Sequence, residues 1–228
     1  MKEILQQEAR LLGLTLSDTQ LSQCERFADA LLEKNKVMNL TAITEPSAVA
    51  RLHFADSLAL LTVEDFRGKR VIDVGCGAGF PGVVLKIGAP SISLTLLDSL
   101  QKRVNWLREV LPTLSLSADC VAARAEEYGH REEFDLAVSR AVARLNVLCE
   151  LCLPFVTVGG SFLAMKAAAA EEELAEAARA ISLLGGEVER VVTYPVGEAE
   201  HCAVVIRKVR PTPPAYPRRF SKIKQSPL

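Results

Sequence analysis

The segment VIDVGCGAGFPG, residues 71–82, carries the densest chemical signal in the chain. A short β-rich run ends at Val74, and Gly75, Gly77 and Gly79 follow at alternate positions before a helical pattern resumes. Glycines at such a turn let the backbone bend sharply and let a ligand approach without interference from Cβ. Ligands of open α/β sheets bind beyond the carboxyl ends of the strands, where this loop would lie. Asp98 ends the next apolar run, SLTLLD, where a carboxylate can accept both hydroxyls of a ribose. The competing reading of Asp98 is a helix cap ahead of QKRVNWL.

Two nucleotide cofactors compete for this loop. Gly77, Gly79 and Gly82 satisfy G-x-G-x-x-G, the pattern of a dinucleotide loop, but a lone match is weak evidence. Asp73 places a carboxylate inside the first strand, two residues before the loop. It can contact the loop or reach the cationic end of S-adenosylmethionine through water, whereas a pyrophosphate is disfavoured beside it. Pro81 removes an N–H donor from the helix start that would hold pyrophosphate. Both features favour S-adenosylmethionine over NAD, and no Ser/Tyr/Lys constellation supports an oxidoreductase.

The elements that must position these groups follow from periodicity. Residues 1–65 read as helical, with Leu21, Cys24, Phe27, Ala28 and Leu31 at helical spacing behind Ser17 and Asp18 as caps. A loop at Asn39, Leu40 and Thr41 interrupts them, and Pro46 opens a further helix. From about residue 69, short apolar runs (VIDV, SLTLLD, CVAA, FDLAVS, SFLAMK) alternate with helical segments such as AAAAEEELAEAARA. That alternation predicts an α/β fold, a doubly wound, mostly parallel sheet with helices on both faces. VERVVTYPV and HCAVVIRKV, joined by GEAE, predict a terminal hairpin, for six parallel strands with an antiparallel pairing at the end. The expected organisation is a helical extension over 1–65, a cofactor domain over 66–210 and a basic tail over 211–228. Pro211, Pro213, Pro214 and Pro217 predict that the tail is an extended, non-helical arm.

Composition narrows the class. Half the residues are hydrophobic and a quarter charged, the profile of a globular protein with a full core. No apolar run is long enough to span a membrane and no secretory signal is evident, so a cytoplasmic enzyme is expected. Cys149 and Cys152 alone have C-x-x-C spacing, on an apolar helical stretch without a second ligand pair; buried thiols are the better reading than metal. Net charge is −1, yet no acidic residue follows Glu200, while Arg207, Lys208, Arg210, Arg218, Arg219, Lys222 and Lys224 accumulate. A basic end on a neutral chain is a local footprint for nucleic acid.

Two further segments complete the cofactor set. In ARAEEY, Ala125 and Glu126 fall after the third strand, where an adenine ring is commonly bracketed. FDLAVSR ends at Ser139 and Arg140 on the same sheet edge; an idle cation there is costly. Arg140 is therefore expected to pair with a cofactor carboxylate, Asp73 or a phosphate. Lys166, at the end of the fifth strand, could face the same cleft.

NLTAI (39–43), HFADSL (53–58), VIDVGCGAGFPG (71–82), LLDSLQKRVNWL (96–107), ARAEEY (123–128), SRAVARL (139–145) and YPRR (216–219) together resemble one family. It is the bacterial glucose-inhibited division protein B family, 16S ribosomal RNA (guanine-N7)-methyltransferases. The resemblance covers nearly the whole chain. It implies a Rossmann-like class I methyltransferase with S-adenosylmethionine as cofactor and 16S rRNA or the small subunit as partner. By the family pattern Gly75, Phe80, Ala125, Glu126 and Arg140 match cofactor-contacting positions, and Asp98 the ribose-binding acid. The tail departs from the pattern, with FSKIKQSPL in place of a glycine-containing version.

Guanine N7 carries a free lone pair, so the implied reaction needs no general base, and none of the three histidines stands out as one. Asn39, His53 and Asp56 are the candidate residues of the target pocket, although Asp56 could equally cap or pair within the helical extension. Lys102, Arg103, Arg218, Arg219, Lys222 and Lys224 are candidate phosphate contacts. A monomer without metal or membrane is expected. The alternatives are a class I methyltransferase acting on a small molecule or protein, and an RNA-binding module without activity.

Overall fold

Two helices begin the chain, α1 (Lys2–Leu11) and α2 (Asp18–Met38). The Ser17 hydroxyl accepts the N–H of Gln20, and the Gln20 side chain accepts the N–H of Ser17. This reciprocal cap satisfies two donors that a helix start leaves without partners. It launches α2 with Leu21, Cys24, Phe27, Ala28 and Leu31 buried along one face. Asn39, in the left-handed region at φ 49°, ends the helix. A short α3 (Pro46–Val49) then runs through a π-helical segment, Ala50–Ala55, into α4 (Asp56–Val63).

The computed structural model describes residues 1–140, 143–167 and 170–228. Ala141 and Val142 of SRAVARL, and Ala168 and Ala169 of the alanine-rich helical segment, lie outside the described residues. After α4 the strands are β1 (Arg70–Val74), β2 (Ser93–Asp98), β3 (Asp119–Ala122), β4 (Phe134–Arg140), β5 (Val156–Ala167), β6 (Gly186–Val196) and β7 (Ala199–Lys208). The connecting helices are α5 (Gly82–Gly88), α6 (Gln101–Thr113), α7 (Leu145–Cys152) and α8 (Glu171–Leu183), with α9 (Phe220–Gln225) in the tail.

Among the described residues the strands form one seven-stranded sheet in the order β3-β2-β1-β4-β5-β7-β6. β1 to β5 pair in parallel, and β7 runs antiparallel to both β5 and β6. The doubly wound parallel sheet with a terminal hairpin is thus the architecture that the run pattern predicts. The central strands β1, β2, β4 and β7 read as apolar runs because both faces are covered, whereas the edge strands β3 and β6 are partly exposed. One face (Val71, Leu96, Val138, Leu163, Val205) packs on α1, α2, α4, α5 and α6 in a single apolar cluster. The other (Ile72, Leu97, Ala137, Phe162, Val204) packs on α7, α8 and α9. The N-terminal helices therefore share a core with the sheet.

The tail is not an extended arm. Its prolines are followed by α9, and Ile223 on that helix is fully buried against the second face. Polar groups lock it down: Arg131 donates to the carbonyls of Thr212 and Tyr216, and the Thr212 N–H donates to Glu132 at 2.8 Å. Lys208 is fully buried and donates to the Leu153 carbonyl and the Thr212 hydroxyl, each at 2.6 Å. Burial pulls its pKa down to about 8. Proline content predicted that the stretch before Pro217 is non-helical, but it holds a turn closed by Tyr216 N–H on the Pro213 carbonyl, and the apolar spacing of Phe220 and Ile223 docks the rest.

Candidate active site

The strand order turns back on itself between β1 and β4, the switch point where doubly wound sheets open a crevice. A cleft of about 470 Å³ lies there, lined by Val74 to Ala78 and Phe80 after β1, Leu97 to Leu100 after β2, and Ala123 to Glu126 after β3. Arg140, Leu40, Thr41, His53, Arg103, Leu151 and Phe220 complete the wall. Of the cofactor residues expected from sequence, Gly75, Gly77, Phe80, Asp98, Ala125, Glu126 and Arg140 meet in this cleft.

Two do not. Gly79 faces away from the cleft, at φ 109°, and a Cβ there would lie 2.8 Å from Val83 Cγ2 and 3.0 Å from both Leu107 and Phe27. Its role is close packing of the loop against α2 and α6. Asp73 is also not part of the cleft wall. It is fully buried, and its Oδ2 accepts the N–H of Gly82, the first residue of α5, at 2.8 Å. Burial pushes this carboxyl up to about 7. Asp73 thus ties the loop to the sheet from beneath, which is the loop contact expected of it, without reaching the ligand space.

Asp98 borders the cleft and binds neighbouring backbone, although the cap position of α6 itself is Leu100. At 5% exposure its carboxylate accepts the N–H of Gly77 at 2.9 Å and of Leu100 at 2.8 Å, with Arg103 Nη1 at 3.4 Å. It holds the glycine loop and the start of α6 together and still borders the cleft.

Arg140 departs from its expected partners, the cofactor carboxylate, Asp73 or phosphate. Its Nη1 donates to Asp56 Oδ2 at 3.1 Å and to the Leu52 carbonyl at 3.0 Å, and its guanidinium lies 5.2 Å from the centre of the Phe80 ring. Asp56 is buried outside the cleft wall, so it is a partner of Arg140 rather than a pocket residue. Its other oxygen accepts from His201 Nδ1 at 2.9 Å and Tyr194 Oη at 3.3 Å. His201 and Tyr194 are about 140 residues away in sequence, and nothing local to HFADSL signalled them.

His53 does line the cleft. Arg140 Nη2 donates to its Nδ1 at 3.2 Å, and its Nε2 pairs with the Thr41 hydroxyl at 2.8 Å. The ring stacks on Phe80, centroids 4.7 Å apart. Burial first, and then the Arg140 charge, pull its pKa down to about 4, so the imidazole is neutral with its proton on Nε2. Asn39 is exposed and only its neighbours Leu40 and Thr41 reach the wall. Asn35, which the sequence reading passed over, holds that loop: its Oδ1 accepts the N–H groups of Leu40 and Thr41, and its Nδ2 donates to the Thr41 carbonyl.

The basic candidates divide. Lys102, Arg219, Lys222 and Lys224 are exposed, while Arg103 is half-buried beside Asp98. Arg218 is committed to Glu150 through a two-pronged ion pair at 2.8 and 2.6 Å, and so is not a free phosphate contact. Arg207 pairs with Glu189. Lys166 bonds Glu173 and the Ala143 carbonyl and is not part of the cleft wall. Cys149 and Cys152 are buried thiols, and no metal-ligating cluster occurs among the described residues.

Comparison with known proteins decides the family. A model described as rRNA small subunit methyltransferase G, GidB, matches residues 20–202. The chain belongs to this family. It is 47% identical to a ribosomal RNA small subunit methyltransferase G of Alkaliphilus oremlandii, covering 100% of this chain and 99% of that protein. It is 47% identical to the protein of that name from Bacillus cytotoxicus, over 91% and 90% of the two chains. In fold it is similar to a SAM-dependent methyltransferase of Aquifex aeolicus, with a TM-score of 0.56 at 18% identity, over 77% of this chain and 97% of that one. The chain is a methyltransferase with the Rossmann-like class I fold, as its motifs imply.

Removing the Asp56 carboxylate leaves Arg140, His201 and Tyr194 facing an empty acceptor position. Asp56→Ala should cost about 3–5 kcal/mol of unfolding free energy in urea titrations, and Asp56→Asn less, since it keeps one acceptor. An unchanged midpoint for the alanine variant would refute this role for Asp56. For His53 the folded pKa lies below the unfolded value of 6.5, so the unfolded state binds the proton first. Its contribution is complete above pH 6.5 and is lost as pH falls towards 4, up to about 3 kcal/mol. Asp73 has the opposite slope but is common to wild type and His53→Gln, so it cancels in their difference. Wild-type stability minus that of His53→Gln should therefore fall between pH 6.5 and 4; a constant difference would mean a solvated imidazole.

Proposed function

We propose that this GidB-family chain transfers a methyl group from S-adenosylmethionine to N7 of a guanine in 16S ribosomal RNA. The observation that carries the reading is the cleft itself. It pairs a glycine-loop backbone and the Asp98 carboxylate with apolar walls at Phe80, Leu97 and Leu151, on the carboxyl edge of β1 and β2. A polar edge over an apolar body suits a nucleoside with an amino-acid arm, and the volume is of the size that small-ligand sites have. Bound S-adenosylmethionine supplies a methyl group made electrophilic by its sulfonium.

The chain's own residues bind and orient. Gly75, Gly77, Asp98, Ala125 and Glu126 hold the cofactor, and Phe80 closes its apolar side. His53, Thr41 and Leu40 form the wall on the helical side, where the target base enters. Both nitrogens of His53 are already bonded, so it is a shape and hydrogen-bonding element and not a base. That agrees with N7, a nucleophile with no proton to lose. Rate then comes from orientation, for which well-placed reactants gain up to about 7–11 kcal/mol. N7 is buried in the deep groove of A-form RNA, so the target must be unpaired or splayed out.

Lys102, Arg219, Lys222 and Lys224 are the proposed phosphate contacts. Residues 1–65 shape the target side, 66–210 hold the cofactor, and 211–228 carry the exposed cations. The enzyme acts as a monomer in the cytoplasm, where ribosomal subunits are found.

Small subunits from cells lacking this protein, incubated with the purified chain and labelled S-adenosylmethionine, should yield labelled 7-methylguanosine on nucleoside analysis, and none when the chain is left out. Label confined to proteins or small amines would instead favour the rival substrates. Replacing Arg219, Lys222 and Lys224 by Gln should weaken RNA binding and flatten its salt dependence by roughly 0.7–0.9 in slope per lost phosphate contact. An identical slope would remove α9 from the RNA-facing surface.

A further inference from the structure

The family model ends at residue 202, yet the tail beyond it reaches the cleft. Phe220, the first residue of α9, forms part of the cleft wall together with Arg124, Ala125 and Glu126. Its ring lies 5.4 Å from the Arg124 guanidinium. Phe220, Arg124 and Glu126 also border a second cavity on the tail side, so they partition the two spaces.

An aromatic ring at the border of a polar cavity needs a firm mount, and the tail provides one. Glu150 on α7 is fully buried, and the Arg218 backbone N–H and its Nε both donate to Glu150 Oε1, at 2.9 and 2.8 Å. Arg218 Nη2 donates to Oε2 at 2.6 Å, which makes the pair a fork held two residues before Phe220. Three residues after Phe220, Ile223 is buried in the sheet's second apolar cluster. The ring is thus pinned from both sides in sequence.

From this we infer that Phe220 is a cofactor-binding residue on the adenine side of the cleft, and that Glu150 and Arg218 are positioning residues acting through it. The inference rests on the reading that the cleft holds S-adenosylmethionine. The side is assigned by the shared neighbours Ala125 and Glu126, which follow β3. A planar apolar ring beside a purine favours binding by area and by stacking, whatever the RNA substrate.

The test is calorimetric titration of the full chain with S-adenosylhomocysteine and, separately, with adenosine. Phe220→Ala should weaken both ligands by roughly five- to tenfold, and Phe220→Leu by less. Glu150→Gln and Arg218→Lys should each weaken S-adenosylhomocysteine in the wild-type background and have no further effect on top of Phe220→Ala. Thermal melts identify any variant that fails to fold, and Arg218→Lys, which keeps the charge but loses the fork, stands in for Glu150→Gln in that case. Unchanged affinity in Phe220→Ala, with affinity lost in Asp98→Ala, would overturn the role of Phe220 and leave the cleft as the cofactor site. Unchanged affinity in both variants would overturn the cofactor reading of the cleft as well. Loss for S-adenosylhomocysteine without loss for adenosine would place Phe220 on the other side and overturn the assignment.

Discussion

A buried carboxylate is costly unless donors surround it, and Asp56 is surrounded. Arg140 from the end of β4, His201 from β7 and Tyr194 from β6 all converge on it from separate elements. One side chain from the start of α4 therefore ties the N-terminal helices to the middle strand and to the terminal hairpin. Arg140, so held, has its second nitrogen fixed on His53 and its face beside Phe80. The helical wall of the cleft depends on that anchoring, because both His53 and Phe80 take their orientation from the same guanidinium.

Phe80 carries the order onward into the glycine loop. It packs against Phe27 and Phe54 at centroid distances of 5.2 and 5.3 Å, and Phe27 stacks on Trp106 of α6. The loop is thereby clamped between α2, the π-helical segment and α6. Beneath it, Asp73 holds the start of α5; beside it, Asp98 holds Gly77 and Leu100. A glycine-rich segment is entropically costly to order. Here two carboxylates and an aromatic cluster supply the restraints, so that the backbone facing the ligand is already in place.

The tail completes the opposite wall by different physics. Its anchors are a buried lysine, a Glu150–Arg218 fork and one isoleucine, and together they bring Phe220 to the cleft. Positive charge that looked in sequence like a single basic arm is divided by this docking. Lys208 is buried and Arg218 is held, half-buried, by Glu150, while Arg219, Lys222 and Lys224 remain outside.

What the sequence alone determined was the backbone logic. Alternating apolar runs specified a parallel sheet because buried strands must be apolar on both faces, and the glycine spacing and strand-end Asp98 marked the cleft. Gly75, Gly77, Asp98, Ala125, Glu126 and Arg140 were legible as cleft residues because the fold places strand ends on one edge, whatever the side chains do there; Phe80 was marked only by the family resemblance. The tertiary structure decided which polar groups face the ligand and which face each other. Asp56, Asp73 and Arg218 look in sequence like site residues, and each proves to be an internal tie. The reason is that their partners, His201 and Tyr194, Gly82, and Glu150, are chosen by packing across the sheet and not by spacing along the chain. Local pattern predicts where a charge is along an element; only the folded neighbourhood settles what satisfies it.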